Sequence, residues 1–153
     1  MSLIYSHGPP QRGFHILVLD DDANEGTLLG DALNHLRPEA LVQVVSSPEE
    51  AIRFLYKDAE FVGYATPQLI FLDYRMPSNG GRVLSILKGD PDLRPIPVIA
   101  MCVDASLQDI HEIYSRNANC CVNKPKEMND LTKEMRCALA FWMDVALLQH
   151  SPT

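Results

Sequence analysis

Charged residues follow three short apolar runs at distant points of the sequence. Asp73 follows the apolar residues 69–72, three consecutive aspartates at 20–22 follow residues 16–19, and Lys124 follows residues 121–123. Carboxylates gathered beside an ammonium would make a poor core. The same groups are well suited to hold a divalent metal ion and a phosphoryl group. The pattern therefore predicts one charged pocket built from remote parts of the chain.

Apolar runs alternate along the chain with segments of helical periodicity. Strands are predicted at residues 15–19, 41–45, 69–72, 97–103 and 119–123. Helices are predicted at 24–36, after the Ser47-Pro48-Glu49-Glu50 capping box, after Gly80-Gly81, at 106–114, and from 127 to about 148. This alternation predicts an α/β fold, a parallel sheet sandwiched by helices. Ligands of such sheets bind at the carboxyl ends of the strands, where all three charged groups fall.

Length and charge limit the classes of function. The 153 residues fit one domain at 14–149, preceded by an irregular arm at 1–13. The formal net charge of −7 and the lack of a Lys/Arg cluster argue against nucleic acid as a direct ligand. No signal peptide is apparent, and the longest apolar stretch, 138–148, is too short to cross a membrane. We therefore expect a soluble cytoplasmic protein.

The four cysteines, at 102, 120, 121 and 137, contain no C-x-x-C pair. A zinc or redox site is therefore not indicated, and all four are predicted to be buried, reduced thiols. Cys120 and Cys121 are adjacent on a predicted strand and should point to opposite faces of the sheet.

Four motifs in order give the chain a family resemblance. They are Asp20-Asp21, Asp73-x-x-Met76-Pro77-x-x-x-Gly81, the strand at 97–101, and Lys124-Pro125. With them, residues 15–148 resemble the receiver domain of two-component response regulators. The resemblance implies a flavodoxin-like (βα)5 fold, doubly wound, with five parallel strands in the order 2-1-3-4-5. Residues 91–97, 119–125 and Phe141-Trp142 look most like stand-alone regulators partnered with phytochrome-type histidine kinases.

The resemblance also implies a role for each acidic residue. Asp73 would accept a phosphoryl group from a phosphohistidine of the kinase. Asp21, Asp73 and the backbone carbonyl of Arg75 would hold Mg²⁺ directly, with Asp20 acting mainly through metal-bound water. Asp22 would be either a spare acid or the cap of the first helix.

Further residues are expected around the phosphoacceptor. Lys124 would pair first with Asp73 and then with a phosphoryl oxygen, and Pro125 would shape that turn, a cis bond being one option. Arg75 and Asp104 would flank the pocket mouth. They would either form an ion pair that shields the acyl phosphate from water or be ordinary surface charges.

Two positions depart from the family pattern. Cys102 stands where Ser or Thr is usual, and Cys121 where Tyr or Phe acts as a rotamer switch. Phosphorylation should survive, because metal ligands, nucleophile and lysine are intact, but the switch should be weakened or use other residues. The alternative is a degenerate receiver that acts as a phosphorylation-independent interaction module. An aspartyl-phosphate phosphatase ranks last, because Arg75 replaces the second Asp it needs, so we expect a signalling protein with at most slow self-dephosphorylation.

The last predicted helix is apolar on most of its sides. One stripe comprises Leu131, Met135, Ala138, Leu139, Trp142 and Val145, and further apolar residues are Met128, Cys137, Phe141 and Leu148. The sheet can cover only one side of a helix, so we expect a homodimer through this helix. The alternative is that the N-terminal arm, with Leu3, Ile4 and Tyr5, folds over it.

Overall fold

A single sheet of five parallel strands forms the centre of the molecule. The computed structural model describes residues 13–74, 80–127 and 132–149. The strands lie in the order β2-β1-β3-β4-β5, as predicted. Their bounds are β1 Phe14–Leu19, β2 Ala40–Val45, β3 Leu69–Asp73, β4 Val98–Cys102 and β5 Cys120–Asn123.

Helices follow the strands in alternation. They are α1 Ala23–Leu36, α2 Pro48–Leu55, α3 Gly80–Gly89, α4 Leu107–Ser115 and α5 Lys133–Ala140, with a short 3-10 turn at Ala59–Phe61. Oxygen side chains cap the start of α2 and α4, at Ser47 and Ser106. Ser106 forms a complete capping box. At α2 the prediction was half right, because the Glu50 carboxylate accepts the N–H of Ser46 and not that of Ser47.

Alternate residues of each strand face two separate layers of helices. Ile16 and Val18 pack in one cluster with residues of α1 and α5, whereas Leu17 and Leu19 pack in the other with residues of α2, α3 and α4. Both faces are therefore covered, which explains the continuous apolar runs. Cys120 packs against the first cluster and Cys121 against the second, so the predicted opposite orientation is confirmed.

The last helix is shorter than predicted. Its cap is Thr132, whose side chain accepts the N–H of Met135, and Glu127 lies in a bend outside the helix. After Ala140 the chain forms one π-helical turn, Phe141–Val145, and becomes extended at Ala146. The prediction of a helix that runs unbroken to about residue 148 is therefore wrong.

The π turn also changes which side chains face the sheet. The N–H of Ala146 donates to the carbonyl of Phe141, five residues back, so the turn holds one extra residue and rotates the side chains beyond it. Met135 and Leu139 of the predicted stripe are buried, whereas Val145 of the same stripe is 67% exposed. Phe141, which was predicted to lie on another side of the helix, is 49% exposed. Leu131 and Met128 lie outside the described residues.

Two further predictions concern the burial of the cysteines and the length of the apolar helices. Cys137 is exposed on α5, and Cys120 and Cys121 are only half-buried. The prediction that all four thiols are buried is therefore confirmed only for Cys102. Within the described ranges, no helix is both long enough and apolar enough to cross a bilayer.

Candidate functional site

Three carboxylates meet at the carboxyl ends of β1 and β3. Asp73 is the last residue of β3 and is 5% exposed, and Asp20, directly after β1, is fully buried. Leu19 and Leu72 are partners across the two neighbouring strands, which places the next residue of each strand side by side. Oxygen atoms of Asp20, Asp21 and Asp73 all lie within 4.8 Å of one another.

The chain after β1 is ordered by its own aspartates. Asp20 Oδ1 accepts the N–H of Asp22 at 3.0 Å. Asp22 Oδ1 in turn accepts the N–H groups of Asn24 and Glu25, at 3.0 and 3.1 Å. Asp22 is therefore the cap of α1. Its neighbour Asp21 is left exposed at the mouth of the pocket, where an ion from solvent can reach it.

Lys124 brings the positive charge to this cluster. Its Nζ lies 3.1 Å from Asp73 Oδ2, 2.8 Å from Asp20 Oδ2 and 2.9 Å from Glu25 Oε2. The long side chain reaches across the end of β4, and the backbone N–H of Lys124 is anchored there by the carbonyl of Cys102, at 2.8 Å. The predicted proximity of residues 73 and 124 is thus observed.

Glu25 is a member of the site that sequence reasoning missed. A signal was present, because Glu25 lies in the first turn of α1 and that helix begins at the same edge of the sheet as the aspartates. Its contact with Lys124 joins residues 99 positions apart, which no local pattern reveals.

The electrostatics of the site are set by burial and by these contacts. Burial raises the pKa of Asp73 to about 6; Lys124 acts against this, and the neighbouring Asp20 and Asp21 add to it. Burial alone would lower the pKa of Lys124, but its close contacts with Asp20 and Glu25 outweigh burial and the pKa is raised. The lysine is therefore a permanent cation at neutral pH, facing carboxylates that repel one another.

The donor set fits a hard divalent cation. Mg²⁺ prefers oxygen ligands and is usually held by one or two carboxylates plus water molecules, and Asp20, Asp21 and Asp73 offer one oxygen each. A cation here would also offset the repulsion between the three acids. Arg75, whose carbonyl was predicted as a ligand, lies outside the described residues.

The two cysteines at the expected switch positions lie beside each other. Cys102 is buried at the end of β4, and Cys121 is half-buried on β5, on the same side of the sheet. Burial raises the pKa of Cys121, and the neighbouring Cys102 thiol acts against this. The N–H of Cys121 donates to the hydroxyl of Tyr114 on α4, at 3.1 Å.

Pro125 and Asp104 lie near the edge that carries the site. Pro125 is buried, and all described peptide bonds are trans, so the suggested cis bond before it is wrong. Asp104 is exposed, two residues beyond Cys102, in the left-handed backbone region with φ +47°. Its expected partner Arg75 is not among the described residues.

Tyr74, directly after Asp73, links the site to two helices. Its hydroxyl donates to Glu112 of α4 at 2.8 Å, and burial raises its pKa to about 12. A Cβ at Gly80 would lie 2.2 Å from the carbonyl oxygen of Tyr74, so the start of α3 can approach this strand end only with glycine. Sequence reasoning did not identify Tyr74.

Comparison with known proteins decides the family. Residues 16–136 match the family model of the response regulator receiver domain. The chain belongs to this family. Response regulator Rcp1 of Synechocystis is 28% identical over 134 residues, which cover 87% of this chain and 91% of Rcp1.

Solved receiver structures agree with this fold. The phosphorylated cyanobacterial phytochrome response regulator RcpA is 28% identical, with a TM-score of 0.79, covering 90% of this receiver chain and 99% of RcpA. The Mn²⁺-bound form of Rcp1 is 26% identical, with a TM-score of 0.77. The alignment covers 89% of this chain and 99% of Rcp1. The predicted resemblance to regulators associated with phytochromes is confirmed.

Proposed function

We propose that this receiver domain is a phosphoacceptor signalling protein in which Asp73 takes a phosphoryl group from a histidine kinase. A carboxylate oxygen of Asp73 forms a bond to phosphorus while the bond between phosphorus and the kinase imidazole nitrogen breaks. That nitrogen keeps the electron pair, and the product is an acyl phosphate on Asp73.

The residues of the site support this chemistry through charge. A carboxylate and a phosphoryl group repel each other, and Lys124 already contacts the nucleophile at 3.1 Å, which is the observation that carries the proposal. Mg²⁺, when bound, would supply further positive charge where the phosphoryl oxygens gather. Asp21 and Asp73 would hold the ion directly, and Asp20 would act mainly through a water molecule bound to the metal. The carbonyl of Arg75 is proposed as a further ligand.

A simple labelling experiment tests the chemistry. The chain is incubated with acetyl phosphate and Mg²⁺, and its intact mass is measured. We expect one phosphate adduct, lost in Asp73→Ala and retained in Asp92→Ala, which removes an exposed acid from the loop after α3. An adduct that persists in Asp73→Ala would contradict the assignment.

A degenerate receiver is the second candidate. It is favoured by Cys102 and Cys121, because a thiol is a weak hydrogen-bond donor and neither side chain has a ring to rotate. Such a protein would bind its target equally well with or without acetyl phosphate, and Asp73→Ala would change nothing. Pairing of Lys124 with Asp73 weighs against it.

The proposed partners are derived from the family and from the surface. We propose a phytochrome-type histidine kinase as donor, on the basis of the similarity to RcpA. Phosphotransfer from such a kinase should be faster than from one of another class.

A homodimer through the last helix is also proposed. Exposed Phe141 and Leu147 support it, and sedimentation of a Phe141 variant tests it.

A further inference from the structure

The Lys124 ammonium donates hydrogen bonds to Glu25 and Asp73 and forms a close ion pair with Asp20. Three carboxylate oxygens surround it at 2.8, 2.9 and 3.1 Å, from Asp20, Glu25 and Asp73. A phosphoryl oxygen that binds to Lys124 must therefore compete with these three carboxylates for the ammonium. Which one leaves determines how readily the site accepts a phosphoryl group.

The three partners differ in what displacement would cost them. While the phosphoryl group approaches, Asp73 is still a carboxylate; its side chain is 7% exposed and that of Asp20 is 0% exposed, so each would lose its cation in a buried place. A buried carboxylate left without its partner is strongly unfavourable. The side chain of Glu25 is 45% exposed, and water can solvate it once Lys124 leaves.

The position of Glu25 is nevertheless fixed by the fold. Its backbone N–H donates to Asp22 Oδ1 at the start of α1, so the carboxylate stays at the pocket mouth. There its negative charge also repels an approaching anion. The occupied donor and the repulsion both oppose phosphoryl binding.

We propose that Glu25 is a positioning residue that holds the Lys124 donor needed by a phosphoryl oxygen, and so sets the affinity of the site for phosphoryl groups. This inference rests on the proposed function of Asp73. It assigns Glu25 the role of an exchangeable partner: Lys124 keeps its contact with Asp20 and turns the donor from Glu25 to the phosphoryl oxygen.

The test uses beryllofluoride, an anion that mimics an aspartyl phosphate, at saturating Mg²⁺. Glu25→Gln keeps the size of the side chain and removes its charge. We expect its dissociation constant for beryllofluoride, measured by fluorine NMR, to fall about two- to fivefold, as for loss of a partly exposed ion pair. Glu60→Gln is the matched control, because Glu60 is 48% exposed and pairs with Arg53 away from the site.

A second titration separates positioning from general damage. In Glu25→Gln, Lys124 should bind its remaining partners Asp20 and Asp73 more closely, so the affinity for Mg²⁺ alone should not rise. A loosened fold would instead weaken both ligands. Equal beryllofluoride affinity in Glu25→Gln and the unmodified chain would overturn the inference and leave the phosphoacceptor proposal intact. Absence of beryllofluoride binding by the unmodified chain would overturn both.

Discussion

The ammonium nitrogen of Lys124 lies 3.1 Å from Asp73 Oδ2, although 51 positions separate the two residues. Both side chains are 7% exposed, so the contact is shielded from solvent. The same lysine also contacts Asp20, which ties the ends of β1, β3 and β5 together through one side chain. Changes in charge at this point should therefore affect both chemistry and stability.

The stability of the metal-free protein should depend on the titration of Asp73. Burial raises its pKa to about 6 in the folded chain, against about 3.9 for an unfolded aspartate. The folded state then binds the proton more tightly, so its stability falls as pH rises from about 4 to about 6 and stays low above that. Asp73→Asn should lose this fall and gain about 1–2 kcal/mol at pH 7.

Urea unfolding in EDTA at pH 4.5 and pH 7 measures the effect as the difference between Asp73→Asn and the unmodified chain. The exposed Asp92→Asn should follow the unmodified chain at both pH values. If Asp73→Asn were the less stable protein at pH 7, the raised pKa of Asp73 would be incorrect.

Mg²⁺ binding should distinguish two adjacent aspartates. Asp21→Asn removes a predicted ligand and should weaken Mg²⁺ by about tenfold or more, as measured by the rise in Tm with added Mg²⁺. Asp22→Asn should bind normally, because Asp22 caps α1 and Asn caps helices equally well. Similar losses in the two variants would place the metal elsewhere.

Cys102→Thr should strengthen the conformational response to a phosphoryl mimic. A hydroxyl at the end of β4 donates a stronger hydrogen bond than a thiol, so it should pull the loop after β4 inward. The measurement is the change of backbone amide NMR signals in α4 on addition of beryllofluoride and Mg²⁺. Cys120→Thr, on the opposite face of the sheet, serves as the control, and an unchanged response in Cys102→Thr would argue against a weakened switch.

Arg75→Ala should shorten the lifetime of phospho-Asp73. If Arg75 pairs with Asp104 across the pocket mouth, its loss opens the acyl phosphate to water, and we expect the half-life to fall about two- to fivefold. Loss of the phosphate adduct over time, measured by intact mass, gives the rate. Arg82→Ala removes an exposed arginine paired with Glu49 and should leave the lifetime of phospho-Asp73 unchanged. An equal or longer lifetime in Arg75→Ala would contradict the shielding role.

The apolar end of the chain should mediate self-association. Phe141→Asp replaces a half-exposed aromatic ring with a charged side chain, so sedimentation should show a shift from dimer to monomer. Val62→Asp changes an exposed apolar residue away from this helix and should remain dimeric. A chain lacking residues 1–12 separates the alternative, since a new or tighter dimer on deletion would mean that the arm covers the helix.

The strands were predictable because each is a mostly apolar run between polar or turn residues. Residues 69–72 are four consecutive apolar residues. Both faces of β3 are buried, so the whole strand could be recognised from its apolar sequence. The positions of Asp20, Asp73 and Lys124 could then be inferred from where parallel strands end. Sequence therefore located the centre of the site within the fold.

Other features depend on interactions that periodicity does not record. The start of α5 is set by one hydroxyl, Thr132, and its end by a π turn after Ala140. The contact of Glu25 with Lys124 arises only when α1 packs at the sheet edge. Exposure of Cys137 likewise reflects which side of a short helix faces the sheet, and composition gives no information about that.

Cys137 offers a practical handle on the proposed self-association. It is the exposed one of the four cysteines, and it lies on α5, whereas Cys102 is buried and Cys120 and Cys121 are half-covered. Thiol-reactive fluorophores or spin labels should therefore attach there first, without any engineered cysteine. Resonance energy transfer or dipolar spectroscopy between two labelled copies would then report the distance between their last helices directly.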